Sequence, residues 1–131
     1  MNISQFQRVV EELCQVVGFE SPEALIEGGF LQVDDNFVSM FYNDALDPDV
    51  MQVFIDLGPM PDAHADAYKT FMKLNFELSA GQRGALSLHP NNGNLFYSFR
   101  YRLDEEASGQ RLLDALIRFV ADLGVQALAL S

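Results

Sequence analysis

Apolar positions recur along this chain with two different periods, and the switches between them mark its elements. From Ser4 to Val17, Phe6, Val9, Val10, Leu13, Val16 and Val17 repeat at helical spacing, with Gln5, Arg8, Glu11, Glu12 and Gln15 facing away. Gly18 is a natural stop. Ser21-Pro22-Glu23 has the form of a cap and first turn, opening a short helical piece that reaches Ile26 and breaks at Gly28-Gly29. Three strands then follow at Phe30 to Asp34, Phe37 to Tyr42 and Val50 to Leu57. Asp35-Asn36 turns the first into the second, and the polar loop from Asn43 to Asp49 joins the second to the third. The second and third strands are apolar on both faces. An antiparallel strand with one wet face alternates, so the expectation is that something covers both faces.

Gly58-Pro59-Met60-Pro61 breaks the pattern and opens a helix from Asp62 to Leu78. Tyr68, Phe71, Met72, Leu74, Phe76 and Leu78 sweep an arc of about 200° around it, twice the stripe a surface helix needs. Such a helix has to meet two apolar surfaces, one its own core and the other a second subunit. A strand from Ala85 to His89 and a turn at Pro90-Asn91-Asn92-Gly93, with its Asn-Gly pair, lead to the longest strand, Asn94 to Leu103. That strand alternates cleanly. Leu95, Tyr97, Phe99, Tyr101 and Leu103 share one face; Phe96, Ser98, Arg100 and Arg102 share the other, which is wet or faces a partner. A final helix runs from Glu105 to Leu123, burying Leu112, Leu116, Phe119, Val120 and Leu123. The order α-(α)-β-β-β-α-β-β-α is that of an α+β fold, an antiparallel sheet packed with helices, in a single domain spanning 1–131.

Composition narrows the partners. At 49% hydrophobic and 11% aromatic, the chain has enough apolar material for a core and is not of the disordered class. No apolar run approaches the roughly 20 residues that span a bilayer. The first residues, Met1 to Gln5, lack the basic region and apolar block of a secretory signal. One cysteine, Cys14, permits no intramolecular disulfide. The expected location is the cytoplasm. The net charge of −11 is uneven: residues 1–68 hold thirteen Asp/Glu against Arg8 alone, a balance of −12, and residues 69–131 hold six against seven Lys/Arg, a balance of +1. Nucleic acid and anionic membranes require a positive footprint, so neither is an expected partner. The acidic half serves solubility or steers a basic partner.

No catalytic constellation stands out. His64 lies near a helix start beside Asp62 and Asp66, where a solvated helix end is the simpler reading than a metal site; His89 precedes Pro90 in a turn-capping position. Asp44, Asp47 and Asp49 lack the internal Gly and closing Glu of a calcium loop. Gly81-Gln82-Arg83-Gly84 lacks the Lys-Ser/Thr of a phosphate loop. Cys14, with no His near it in sequence, reads as a core or edge residue rather than a nucleophile. The expectation is a binding protein that is not an enzyme and uses no cofactor and no metal. What remains is an excess of apolar surface, eleven Phe, four Tyr and five Met in 131 residues, suited to holding other chains.

In this setting the chain resembles the class I type III secretion chaperones, the Tir-chaperone family. Gly28-Gly29-Phe30-Leu31-Gln32-Val33-Asp34 is similar to that family's first strand. Phe71-Met72-Lys73-Leu74-Asn75 resembles its helix-ending Leu-Leu-x-x-Asn pattern, with Met72 and Leu74 as imperfect matches. The run from Gly84 to Leu95 resembles its strand–turn–strand signature, and Leu112, Leu113, Leu116 and Phe119-Val120 its last helix. The resemblance implies a homodimer joined through the middle helix and a neighbouring strand, with Tyr68, Phe71, Met72, Phe76, Leu78 and Phe99 at the interface. It implies that the N-terminal chaperone-binding segment of a secreted effector wraps the dimer in extended form and stays secretion-competent, without ATP or metal. For that segment the candidate surface is Phe30, Phe37, Phe41, Val53 and Phe54, margined by Asp34, Asp35, Asp44 and Asp56, with the first helix as a second wall through Val10, Cys14 or Val17. Two other readings stay open: a small acidic immunity protein that neutralises a basic toxin, and, less well supported, a small enzyme.

Overall fold

A computed structural model describes residues 3–33, 35–59, 65–81 and 84–130. Asp34, Asp62 and His64 lie outside the described residues, as do the side chains of Asp66, Asp122 and Leu123. The elements are α1 (Ile3–Val17), α2 (Pro22–Ile26), β1 (Leu31–Val33), β2 (Asn36–Phe41), β3 (Val50–Pro59), α3 (Ala65–Ala80), β4 (Ala85–Leu88), β5 (Asn94–Arg102) and α4 (Gly109–Leu130). The α+β class and the predicted element order are those observed. The strands form one antiparallel sheet in the order β1-β2-β3-β5-β4.

The core lies on one face of this sheet. Val38 and Met40 of β2, Met51, Val53 and Ile55 of β3, and Leu95, Tyr97 and Phe99 of β5 all point into it. It is closed by Phe6, Val9, Val10, Leu13 and Cys14 of α1 and by Leu112 and Leu116 of α4. Phe119 of α4 packs its ring 4.8 Å from that of Phe99 and 5.4 Å from that of Tyr97. Because side chains alternate along a strand, Phe37, Ser39, Phe41, Gln52, Phe54, Asp56, Phe96, Ser98 and Arg100 are left for the opposite face.

That opposite face departs from expectation. Cover on both sides was predicted from the unbroken apolar runs of β2 and β3. Among the described residues α1 and α4 pack on one side only, and Phe37 and Phe41 remain 45% and 47% exposed. The apolar residues of these strands therefore serve two surfaces, of which one is a core.

One helix start also differs. α4 begins at Gly109 rather than Glu105, because Asp104 Oδ1 accepts the Glu106 N–H (3.0 Å) in a turn and the true cap is Ser108, whose Oγ accepts the Arg111 N–H at 3.1 Å. It continues past Leu123 to Leu130. Gly109 rests directly on α1: a Cβ there would meet the backbone of Glu12 and Leu13. Glu12 Oε1 accepts the Gly109 N–H (3.0 Å), and Arg8 donates to the Ala107 carbonyl (3.0 Å) while pairing with Glu12. α3 is described from Ala65, the expected start at Asp62 lying outside the described residues, and it is pinned to the outer strand β4, where Asn75 Oδ1 accepts the Leu86 N–H at 2.8 Å.

Candidate functional site

The register of the sheet sets out the open face row by row. Phe37 of β2 lies opposite Asp56 of β3, which lies opposite Phe96 of β5; the next row reads Ser39, Phe54, Ser98; the next, Phe41, Gln52, Arg100. Aromatic and polar positions thus alternate across strands as well as along them. Phe41 meets Phe54 edge-on, ring centroids 5.6 Å apart and planes at 78°. Phe30, in the bend before β1 and 63% exposed, meets Phe37 edge-on at 5.0 Å. Such edge-to-face pairs contribute about 0.5–1.5 kcal/mol beyond their area and hold rings in place without burying them. Leu88, His89 and Pro90 at the end of β4 wall off one side, His89 lying 5.4 Å from the Phe96 ring. The result is an open groove of about 640 Å³ floored by Phe residues.

Of the residues proposed from sequence, Phe30, Phe37, Phe41 and Phe54 come together in this groove. Val10 and Val53 do not. Both are 0% exposed within the core, on the far side of the sheet, so neither presents surface to another chain. Val17 and Cys14 belong to the same far side, Val17 packed against the core and Cys14 within it. α1 is therefore no wall of the groove; the walls are the Gly28–Phe30 bend and the end of β4. Asp35 and Asp44 are exposed at the margins, and Asp34 lies outside the described residues. Asp56, expected at a margin, sits in the middle of a row instead. Phe96 is the groove residue that sequence reasoning left unassigned, although its place on the alternate face of β5 was the signal.

A second apolar surface lies on α3. Tyr68, Met72 and Phe76, four residues apart, form one stripe along the helix and are 40%, 69% and 76% exposed. Phe71 and Leu78 are buried beneath it, and Phe99 is buried in the sheet. The six residues proposed for a subunit interface thus divide into three that present surface and three, Phe71, Leu78 and Phe99, that are buried.

The chemistry of the remaining groups is quiet. Burial first, then the Glu23 and Glu11 carboxylates, push the Cys14 thiol up from its ordinary value and suppress the thiolate. Burial raises Tyr101 as well, offset in part by the Ser108 N–H, which donates to its hydroxyl oxygen at 3.2 Å. In the loop after β2, Asp47 takes the Asp49 N–H on one oxygen and Arg100 on the other (2.6 Å), which closes the loop without an ion. Among the described residues no three His, Cys, Asp or Glu side chains converge as metal ligands. No described helix is long and apolar enough to cross a membrane.

Comparison with known proteins agrees with the resemblance read from the sequence. No curated protein sequence matches. Among solved structures, a chain of the ExoT–SpcS complex from Pseudomonas aeruginosa has the same fold, with a TM-score of 0.59 and 20% identity, over 95% of this chain and 97% of that one. The model of the Tir chaperone protein (CesT) family matches residues 8–124, nearly the whole length. The chain belongs to the Tir chaperone protein (CesT) family.

Proposed function

We propose that this protein is a cytoplasmic chaperone that binds the N-terminal chaperone-binding segment of a type III secreted effector and keeps it extended and competent for export. The observation that carries this reading is the open aromatic face: in a chain of a chaperone family, Phe30, Phe37, Phe41 and Phe54 stay accessible on a hydrogen-bonded sheet that cannot collapse around them. A segment lying across them gains about 25 cal/mol for each Å² of apolar surface buried. Ordering the client chain offsets much of that gain, which leaves a grip that export can break. The likeness to a chain taken from a complex of two proteins, ExoT and SpcS, supports an assembly of this kind. The role is binding without turnover and draws on no ATP, metal or nucleophile.

The working unit in this reading is a homodimer. Tyr68, Met72 and Phe76 supply its contact stripe, while Phe71, Leu78 and Phe99 are buried. The test is co-expression with the products of neighbouring genes, followed by capture with the wild type and with Phe37→Ser, Phe41→Ser and Phe54→Ser. A secreted effector held by the wild type and released by folded variants is the expected result. Capture of a toxin whose activity is blocked, or of an effector by all variants alike, would overturn it.

A further inference from the structure

One polar side chain interrupts the aromatic floor of the groove. Asp56 stands in the row Phe37–Asp56–Phe96, a carboxylate with a Phe ring opposite it on each neighbouring strand. It is partly buried and held in place. Its Oδ1 accepts the Gly58 N–H at 2.8 Å and the Asn94 side-chain amide at 3.1 Å, the latter reaching Oδ2 at 3.2 Å. The neighbouring Asn36 amide grips the Asp56 carbonyl (3.1 Å). A register shift between Asp56 and Pro59 sets this local geometry. These are neutral donors, and among the described residues no Lys, Arg or His pairs with the carboxylate. A carboxylate has about four acceptor positions, so acceptor capacity is left over on a side chain that lines the groove.

We propose that Asp56, between Phe37 and Phe96, is the specificity pocket for a basic side chain of the client, so that the chain selects extended segments in which an Arg or Lys accompanies apolar anchors. The proposal rests on the groove being the client site and names what that site selects. An anion fixed in advance, with low-dielectric aromatic walls, forms charge-assisted hydrogen bonds with a cation. The same rings offer their negative faces to it. Arg fits better than Lys, because a planar guanidinium stacks on a ring while its fork meets the carboxylate. The even rows of the groove, Ser39–Phe54–Ser98, offer no such charge and take the apolar anchors.

The test is selection of random short peptides displayed on phage against the full chain, followed by binding titrations. The wild type is expected to enrich peptides that combine aromatic or aliphatic residues with an Arg or Lys. Replacing that Arg by citrulline, neutral and nearly isosteric, should weaken binding to the wild type about tenfold. Asp56→Asn, which keeps an acceptor for the Gly58 N–H, should lose the same factor for the Arg peptide and show no further loss for the citrulline peptide. Glu105→Gln, equal in charge but in the exposed turn before α4 and outside the groove, should change neither. Equal effects of Asp56→Asn and Glu105→Gln, or enrichment of apolar peptides without basic residues, would overturn the pocket while leaving the groove intact. If Asp56→Asn failed to fold, the citrulline comparison on the wild type would decide alone, an unchanged affinity refuting the pocket. Failure of the wild type to select any apolar peptide would overturn the groove reading itself, and the pocket with it.

Discussion

Phe41 and Val53 sit on adjacent strands and were grouped as one surface by their sequence, yet they face opposite ways. Phe41→Ser removes a ring that is 47% exposed. Its buried half contributes roughly 1 kcal/mol to folding, given about 1.5–3 kcal/mol for a fully buried side chain. Loss of the edge-on contact with Phe54 adds about 0.5–1.5 kcal/mol. Val53→Ala deletes two methyl groups from a site that is 0% exposed, at a cost of about 2 kcal/mol. Both variants should therefore lose a similar margin, lowering Tm by about 4 °C per kcal/mol in a chain of this size. Their binding should diverge. The exposed half of the Phe41 ring offers about 100 Å² to a client; at 25 cal/mol per Å² that is about 2.5 kcal/mol, a factor of about 60 in Kd. Val53→Ala should bind as the wild type does. Thermal melts by circular dichroism, with fluorescence anisotropy of the co-purified client segment well below both melting points, separate the two. Equal weakening by both variants, or none by Phe41→Ser, would refute the division of the sheet into a core face and a binding face.

Phe76→Asp should convert a dimer into a 14.7 kDa monomer in sedimentation equilibrium with Tm little changed, because Phe76 is 76% exposed; Phe71→Asp, buried, should instead unfold the chain. Gly109→Ala should destabilise by about 1–3 kcal/mol in urea titrations, since its Cβ would enter the backbone of Glu12 and Leu13. Cys14 has its folded pKa raised above an ordinary 9.0, and Tyr42 and Tyr101 above 10.0. Their contribution to stability is complete below those values and is lost as pH rises through the higher folded ones, the unfolded chain releasing its protons first. The urea midpoint should thus begin to fall near pH 9 and steepen above 10, and Cys14→Ala should remove the earlier part. Iodoacetamide should label Cys14 slowly at pH 8 until denaturant is added.

The elements could be read from the chain because their periods are strong: six apolar positions at helical spacing in α1, and strict alternation in β5. The face on which the binding surface lies could not be read from β2 and β3. A residue run apolar on both sides of a strand carries no mark of which side α1 and α4 will cover, and Val53 looks as suitable as Phe54 one position later. Choosing between them takes the register against β5, whose polar side, Ser98 and Arg100, falls in line with Phe54 and Gln52. The same register draws Asp56 into the middle of the groove, away from the margin expected of it. The start of α4 was misjudged for a local reason: Asp104 and Ser108 both have capping side chains, and only Ser108 is followed by a residue small enough to lie against α1.

The alternation along β2, β3 and β5 also bears on how such a sequence can change over time. Residues that hold the fold and residues proposed to hold a client occupy alternate positions of the same strands, with the backbone ladder between them as a barrier. A substitution at Ser39, Phe54 or Phe96 alters what is gripped while the packing of Met40, Val53 and Tyr97 is left alone. Recognition can then drift with a changing client while the core packing stays as it is, at the cost of the half-buried area of a ring such as Phe41. A chain can in that way keep its architecture while sharing one residue in five with another of the same fold.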